Sequence, residues 1–189
     1  MPTHVALLRG INLAGRNKVA MADLREVVTS LGHADVATYI QSGNVMFSTP
    51  QTDTVALAAA LEESIATALG VTARVVVLSR EELTQVMRDN PYRDEPNHKA
   101  LHAIFLSGEP GPEVAERVAA AQQQVMQQGS RDQAQVIGRT IFLQTPDGYG
   151  RSDLAAALVK LGQRKTDYVA GTARNWATVT KLLALCGPS

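Results

Sequence analysis

Val36-Ala-Thr-Tyr-Ile-Gln-Ser-Gly-Asn-Val-Met-Phe-Ser48 is the stretch that decides the fold. Val36 to Ile40 and Val45 to Ser48 have the β-branched and aromatic content of strands, and Gln41-Ser42-Gly43-Asn44 between them has the residues of a tight turn. A hairpin at this place needs partners, and the flanking sequence supplies them. Upstream, His4-Val-Ala-Leu-Leu-Arg9 is a short apolar run that reads as a buried strand. Met21 to Leu31 then puts Leu24, Val27, Val28 and Leu31 on one helical face, with Gly32 as the stop. Downstream, Asp53 opens a helix with Ala58, Leu61 and Ile65 on its apolar side, Gly70 closes it, and valine-rich Val71 to Leu78 makes a fourth strand.

The same order returns further along. Ser79-x-x-Glu82 is a capping box for a connecting helix that stops at Asn90-Pro91, and Tyr92 to Asn97 reads as a linker. Ala100 to Leu106 is a strand, Pro112 starts a helix running to Gly129, and Val136 to Leu143 forms a hairpin turning at Gly138. Ser152 caps a helix ending near Gly162, and Thr172 is expected to cap a last helix to Leu185. Strand–helix–strand–strand–helix twice over is the split βαβ arrangement, so the expected class is α+β with two ferredoxin-like units and antiparallel sheets. The expected divisions are 1–78 for the first unit, 79–98 for the connecting helix and linker, and 99–189 for the second unit with its C-terminal helix. In the second unit a helix stands where a clear fourth strand is wanted.

With 189 residues and one cysteine, the chain is long enough for one domain or two small ones and has no intramolecular disulfide. No apolar run approaches the ~18 residues of a membrane span. Arg9 interrupts the apolar N-terminal stretch, so a signal peptide is not expected either, and the expected location is cytoplasmic. Eighteen basic and eighteen acidic residues cancel, yet residues 1–18 carry +3, residues 151–189 carry +4, and the middle carries −7. Such a bipolar chain attracts an anion locally without binding every polyanion; chance scatter is the alternative.

Three polar clusters ask for an explanation. The loop Arg9-Gly-Ile-Asn12-Leu-Ala-Gly-Arg-Asn-Lys18 joins a strand to a helix and carries three cations and two asparagines. Exposed amides ahead of a helix suit an anion, but Gly15 is followed by Arg-Asn-Lys with no hydroxyl, so this is not a phosphate-binding P-loop. Gln41, Ser42 and Asn44 can read a ligand's donors and acceptors, or can serve only the turn. Ser42 has no Gly-x-Ser-x-Gly setting, which argues against a serine hydrolase. In Thr172 to Lys181, a helical reading places Arg174, Thr178 and Lys181 on one basic stripe, with Asn175 beside it and Trp176 directed to the core. Gly148-Tyr-Gly-Arg-Ser152 is a further glycine-rich helix start, either a second anion pocket or an ordinary capped loop. His98 and His102 lack supporting ligands, so no metal is expected; no dinucleotide fingerprint is present, and no cofactor is expected.

Leu7-Leu-Arg-Gly-Ile-Asn12 with Asn17-Lys18, then Thr38-Tyr-Ile-Gln-Ser-Gly-Asn-Val45, then Thr172-Ala-Arg-Asn-Trp-Ala-Thr-Val179 with Lys181-Leu182, together closely resemble the domain of unknown function 1697 family. The resemblance implies a bacterial protein of two ferredoxin-like units, and it implies no activity. The residues leave three function classes open. One is a binder of RNA or single-stranded DNA, weakened by an aromatic content of 4%. The second is an enzyme or sensor for a small phosphorylated or carboxylate metabolite. In the third, the polar motifs only lock the two halves together. The candidate ligand-binding set is Arg9, Asn12, Lys18, Gln41, Ser42, Asn44, Arg174, Asn175 and Lys181, of which all but Ser42 and Asn175 are expected to line one cleft shared by the two halves. The residues carry no reading of oligomeric state and name no catalytic group.

Overall fold

The computed structural model describes residues 1–12, 17–161 and 171–187. The chain divides into two compact units, residues 1–85 with 181–189 and residues 86–180. In the first, β1 (His4–Arg9), α1 (Met21–Ser30), β2 (Ala34–Tyr39), β3 (Asn44–Ser48), α2 (Thr54–Leu69) and β4 (Arg74–Ser79) follow in order, and the sheet runs β2-β3-β1-β4. All neighbouring strands are antiparallel. This is the ferredoxin-like strand order, in which each βαβ crossover leaves a gap that the other fills. Helix α3 (Arg80–Asp89) follows, and the division between units falls within it.

The second unit repeats the pattern with β5 (Leu101–Leu106), α4 (Pro112–Gln127), β6 (Gln133–Ile137), β7 (Thr140–Gln144), α5 (Asp153–Leu161) and β8 (Gly171–Asn175), in the order β6-β7-β5-β8. Helix α6 (Trp176–Leu185) closes the series.

Helix termini follow the sequence signals closely. Asp53 Oδ1 accepts from the amides of Val55 and Ala56, which otherwise lack intrahelical partners. Ser79 Oγ accepts from Glu82 N while the Glu82 carboxylate accepts from Ser79 N, a reciprocal capping box. Ser152 Oγ accepts from Ala155 N at 2.8 Å.

The last helix departs from expectation. Thr172 does not cap it: Gly171 to Asn175 form β8, with Thr172 opposite Phe105 and Arg174 opposite Ala103 on β5. A Cβ on Gly171 would sit 2.7 Å from Ile104 Cγ2, so the missing side chain is what lets this strand approach β5. Pairing with an existing strand overrides local helix preference. Asn175 then caps α6, its Oδ1 accepting from Thr178 N at 2.8 Å. The second unit therefore has its fourth strand, and Arg174 shares no helical stripe with Thr178 and Lys181.

Each sheet has a helix-covered core. Ala6, Leu8, Val45, Phe47, Val75 and Val77 pack with Leu24, Val28, Leu57, Leu61 and Ile65 in the first unit. Ile104, Leu106, Ile141 and Leu143 pack with Val118, Val125, Leu154 and Leu158 in the second. The opposite faces are buried as well: Val5, Leu7, Met46, Val76 and Leu78 in one sheet, Leu101, Ala103, Phe105 and Phe142 in the other. Among the described residues, neither central sheet face is open for nucleic-acid bases to stack on.

Candidate functional site

The loop after β1 is tied at its stems. Asn17 Nδ2 donates to Gly10 O at 2.7 Å, and Asn12 N donates to Asn17 O at 2.9 Å. Asn12 completes the neck with its side chain, accepting from Val19 N at 2.9 Å and donating to Val19 O at 3.0 Å. Both asparagines sit in the left-handed region, at φ 52° and 49°, which this residue type tolerates better than most. Arg16 lies outside the described residues.

The β2–β3 turn is pressed against the same place. Leu8 N donates to Gly43 O at 2.8 Å, and a Cβ on Gly43 would stand 2.9 Å from Leu8 Cβ. The second amide proton of Asn12 reaches Gln41 O at 3.3 Å, bridging loop and turn. Asn44, fully buried, donates to Tyr39 O at 3.1 Å and to Ser42 Oγ at 2.8 Å. Asn12 and Asn44 are therefore framework groups here: their amides are spent on the chain itself. Lys18, Gln41 and Ser42 remain exposed around them, and Arg9 is half-buried.

Charge accumulates at this sheet end. Arg9 and Arg74 occupy directly opposed positions on β1 and β4, a like-charge cross-strand pair. Arg74 also meets Glu62 at 3.3 Å, and Glu62 fixes the strand by accepting from Val75 N at 2.8 Å. Arg74 is not among the residues that the sequence singles out. Its signal was there: each arginine borders an apolar run, and antiparallel pairing of those runs sets them side by side.

The model of a family described as protein of unknown function, DUF1697, matches residues 1–142. The chain belongs to the DUF1697 family. Its fold is similar to that of the conserved bacterial protein SP0830 from Streptococcus pneumoniae, at 24% identity, 98% coverage of both chains and a TM-score of 0.68. No functionally curated protein matches the chain. The loop and turn of the first unit thus lie in the part matched to DUF1697, and the Thr172–Lys181 motif lies beyond it.

In the second unit of this DUF1697 protein, Arg174 lies on β8. Its Nη1 donates to Thr172 Oγ1 and to Ala173 O, each at 2.8 Å, and burial lowers its pKa to about 10. Asn175 is the α6 cap, and Lys181 is exposed on α6 in the portion grouped with the first unit. The glycine-rich start of α5 borders a cavity of about 230 Å³ lined by Asp132, Asp147, Asp153 and Arg151 among others. Ser152 Oγ donates to the buried Asp132 carboxylate at 2.7 Å, and Asp147 pairs with Arg131 at 2.6 Å. Carboxylates outnumber cations around that cavity, so its electrostatics oppose a second anion pocket.

The histidines disperse too. His98 lies in a 3₁₀ turn and is exposed, whereas His102 is on β5 and stacks on Tyr149 at 4.1 Å. Burial lowers the His102 pKa to about 4, which keeps the ring neutral. Among the described residues, no group of three or more His, Cys, Asp or Glu is placed to hold a metal ion, and no helix is long and apolar enough to cross a membrane.

Proposed function

We propose that this protein binds a small anion at the end of the first sheet, with Arg9 and Arg74, opposed on β1 and β4, as its cations and Lys18, Gln41 and Ser42 as further contacts. The carrying observation is the Arg9–Arg74 cross-strand pair. Directly opposed like charges destabilise a sheet by roughly 0.2–1 kcal/mol; Glu62 meets Arg74 at 3.3 Å, and an anion at the same sheet end adds a further negative partner for the pair. Asn12 and Asn44 support the reading from behind. They hold the two stems of the loop and the β2–β3 turn in place before any ligand arrives, which lowers the ordering cost of binding.

A small ligand is favoured over RNA or single-stranded DNA because the sheet faces that would stack bases are buried. A cytoplasmic setting suits the single cysteine. The saturated amides of Asn12 and Asn44 favour a second reading, in which the motif is a lock for the hairpin and nothing more. Thermal unfolding with inorganic phosphate added at constant ionic strength separates them. The anion reading expects a rise in melting temperature that Arg9→Gln and Arg74→Gln each reduce. A wild-type melting temperature indifferent to phosphate leaves the lock alone.

A further inference from the structure

Ile40 follows β2 directly, and its backbone lies at φ 49°. A β-branched side chain in the left-handed region is a steric outlier that glycine or asparagine would avoid. The chain enforces it from both sides. Asn44 Nδ2 holds the carbonyl of Tyr39, the residue before, and Asn12 Nδ2 holds the carbonyl of Gln41, the residue after. The result is an isoleucine that is 52% exposed, next to Gln41 and Ser42 in the β2–β3 turn, which the Leu8 N to Gly43 O bond ties to β1 just ahead of Arg9. Strained positions fixed by their surroundings concentrate where ligands are held.

We propose that Ile40 is the apolar half of the anion site, and that the ligand is a free organic anion, one acidic group joined to an aliphatic or aromatic body. The inference rests on the anion reading above and adds the ligand class to it. The cations and the exposed amide and hydroxyl of Gln41 and Ser42 take the acidic group, and covering Ile40 removes apolar surface from water. A bare inorganic ion would leave that surface unused.

The experiment is an amide-resolved NMR titration of the full chain with inorganic phosphate and with hexyl phosphate. Both are expected to shift the amides around Arg9, Asn12 and Gln41, with hexyl phosphate binding about tenfold more tightly. Ile40→Gly and Ile40→Asn both suit the left-handed backbone; each is expected to equalise the two affinities without lowering the melting temperature. Equal affinities in the wild type overturn the organic-anion inference and leave the anion site standing. A tenfold preference that persists in both variants removes Ile40 from the site. Binding of neither probe overturns the anion site itself. Capture by anionic phospholipid vesicles without binding of hexyl phosphate overturns the free-ligand claim in favour of a membrane headgroup.

Discussion

Asn44 Nδ2 lies 2.8 Å from Ser42 Oγ, joining a fully buried amide to an exposed hydroxyl two residues away. The same amide satisfies Tyr39 O, so one side chain closes the β2–β3 turn from inside. Replacing Asn44 by alanine removes both bonds and leaves the half-buried Tyr39 carbonyl without this donor. The expected loss is about 2 kcal/mol, read as a lower urea midpoint with an unchanged slope. Asn44→Asp is expected to lose more, because a buried carboxylate cannot donate to Tyr39 O.

Gly43 faces two constraints at once. Its φ is 74°, and an added Cβ would meet Leu8 Cβ at 2.9 Å and Ile11 Cδ1 at 3.0 Å. Gly43→Ala is therefore expected to destabilise by about 2 kcal/mol or more. Gly32→Ala, also at positive φ but with open space around its Cβ position, is expected to cost only about 1 kcal/mol. Chemical denaturation of the two variants side by side measures the difference that packing makes.

Acid is expected to weaken the protein through its buried histidines. His102 is lowered by burial from 6.5 to about 4, so the unfolded chain binds more protons between those values. The stability contribution is complete above pH 6.5 and is lost progressively as pH falls toward 4. His4 and His33, which stack on Phe47 at 5.7 and 4.7 Å and are also lowered by burial, add to the slope in the same direction. Urea midpoints at pH 7 and pH 5 should differ, and His102→Gln should narrow the gap.

Asn175 offers a test of the last helix boundary. Its side chain caps α6 through Thr178 N, so Asn175→Ala is expected to cost about 1 kcal/mol, whereas Asn175→Asp should retain most of the cap. Equal loss in the alanine and aspartate variants would argue against the capping role.

The parts of the fold legible in sequence were those set by local chemistry. Asp53, the Ser79–Glu82 box and Ser152 announce helix starts because capping needs only residues three or four apart. Thr172 misled for the same reason: it has the chemistry of a cap, and its true partner, Phe105, is far away in sequence. Polar clusters were also legible as clusters, but not the division of labour within them. That Asn12 and Asn44 serve as framework depends on carbonyls brought close only by folding. The pairing of Arg9 with Arg74 depends on strand register, and the setting of Ile40 on a backbone angle. Neither quantity is written in residue spacing.

The first unit is completed by residues 181–189, although its other part ends at residue 85. During synthesis residues 181–189 leave the ribosome roughly a hundred residues after residue 85, so the first sheet, whose four strands all lie between His4 and Ser79, is made whole but goes without these contacts while the second unit is produced. A fragment cut at residue 85 would show that waiting state, and supplying the missing helix in trans would measure how much finishing it matters.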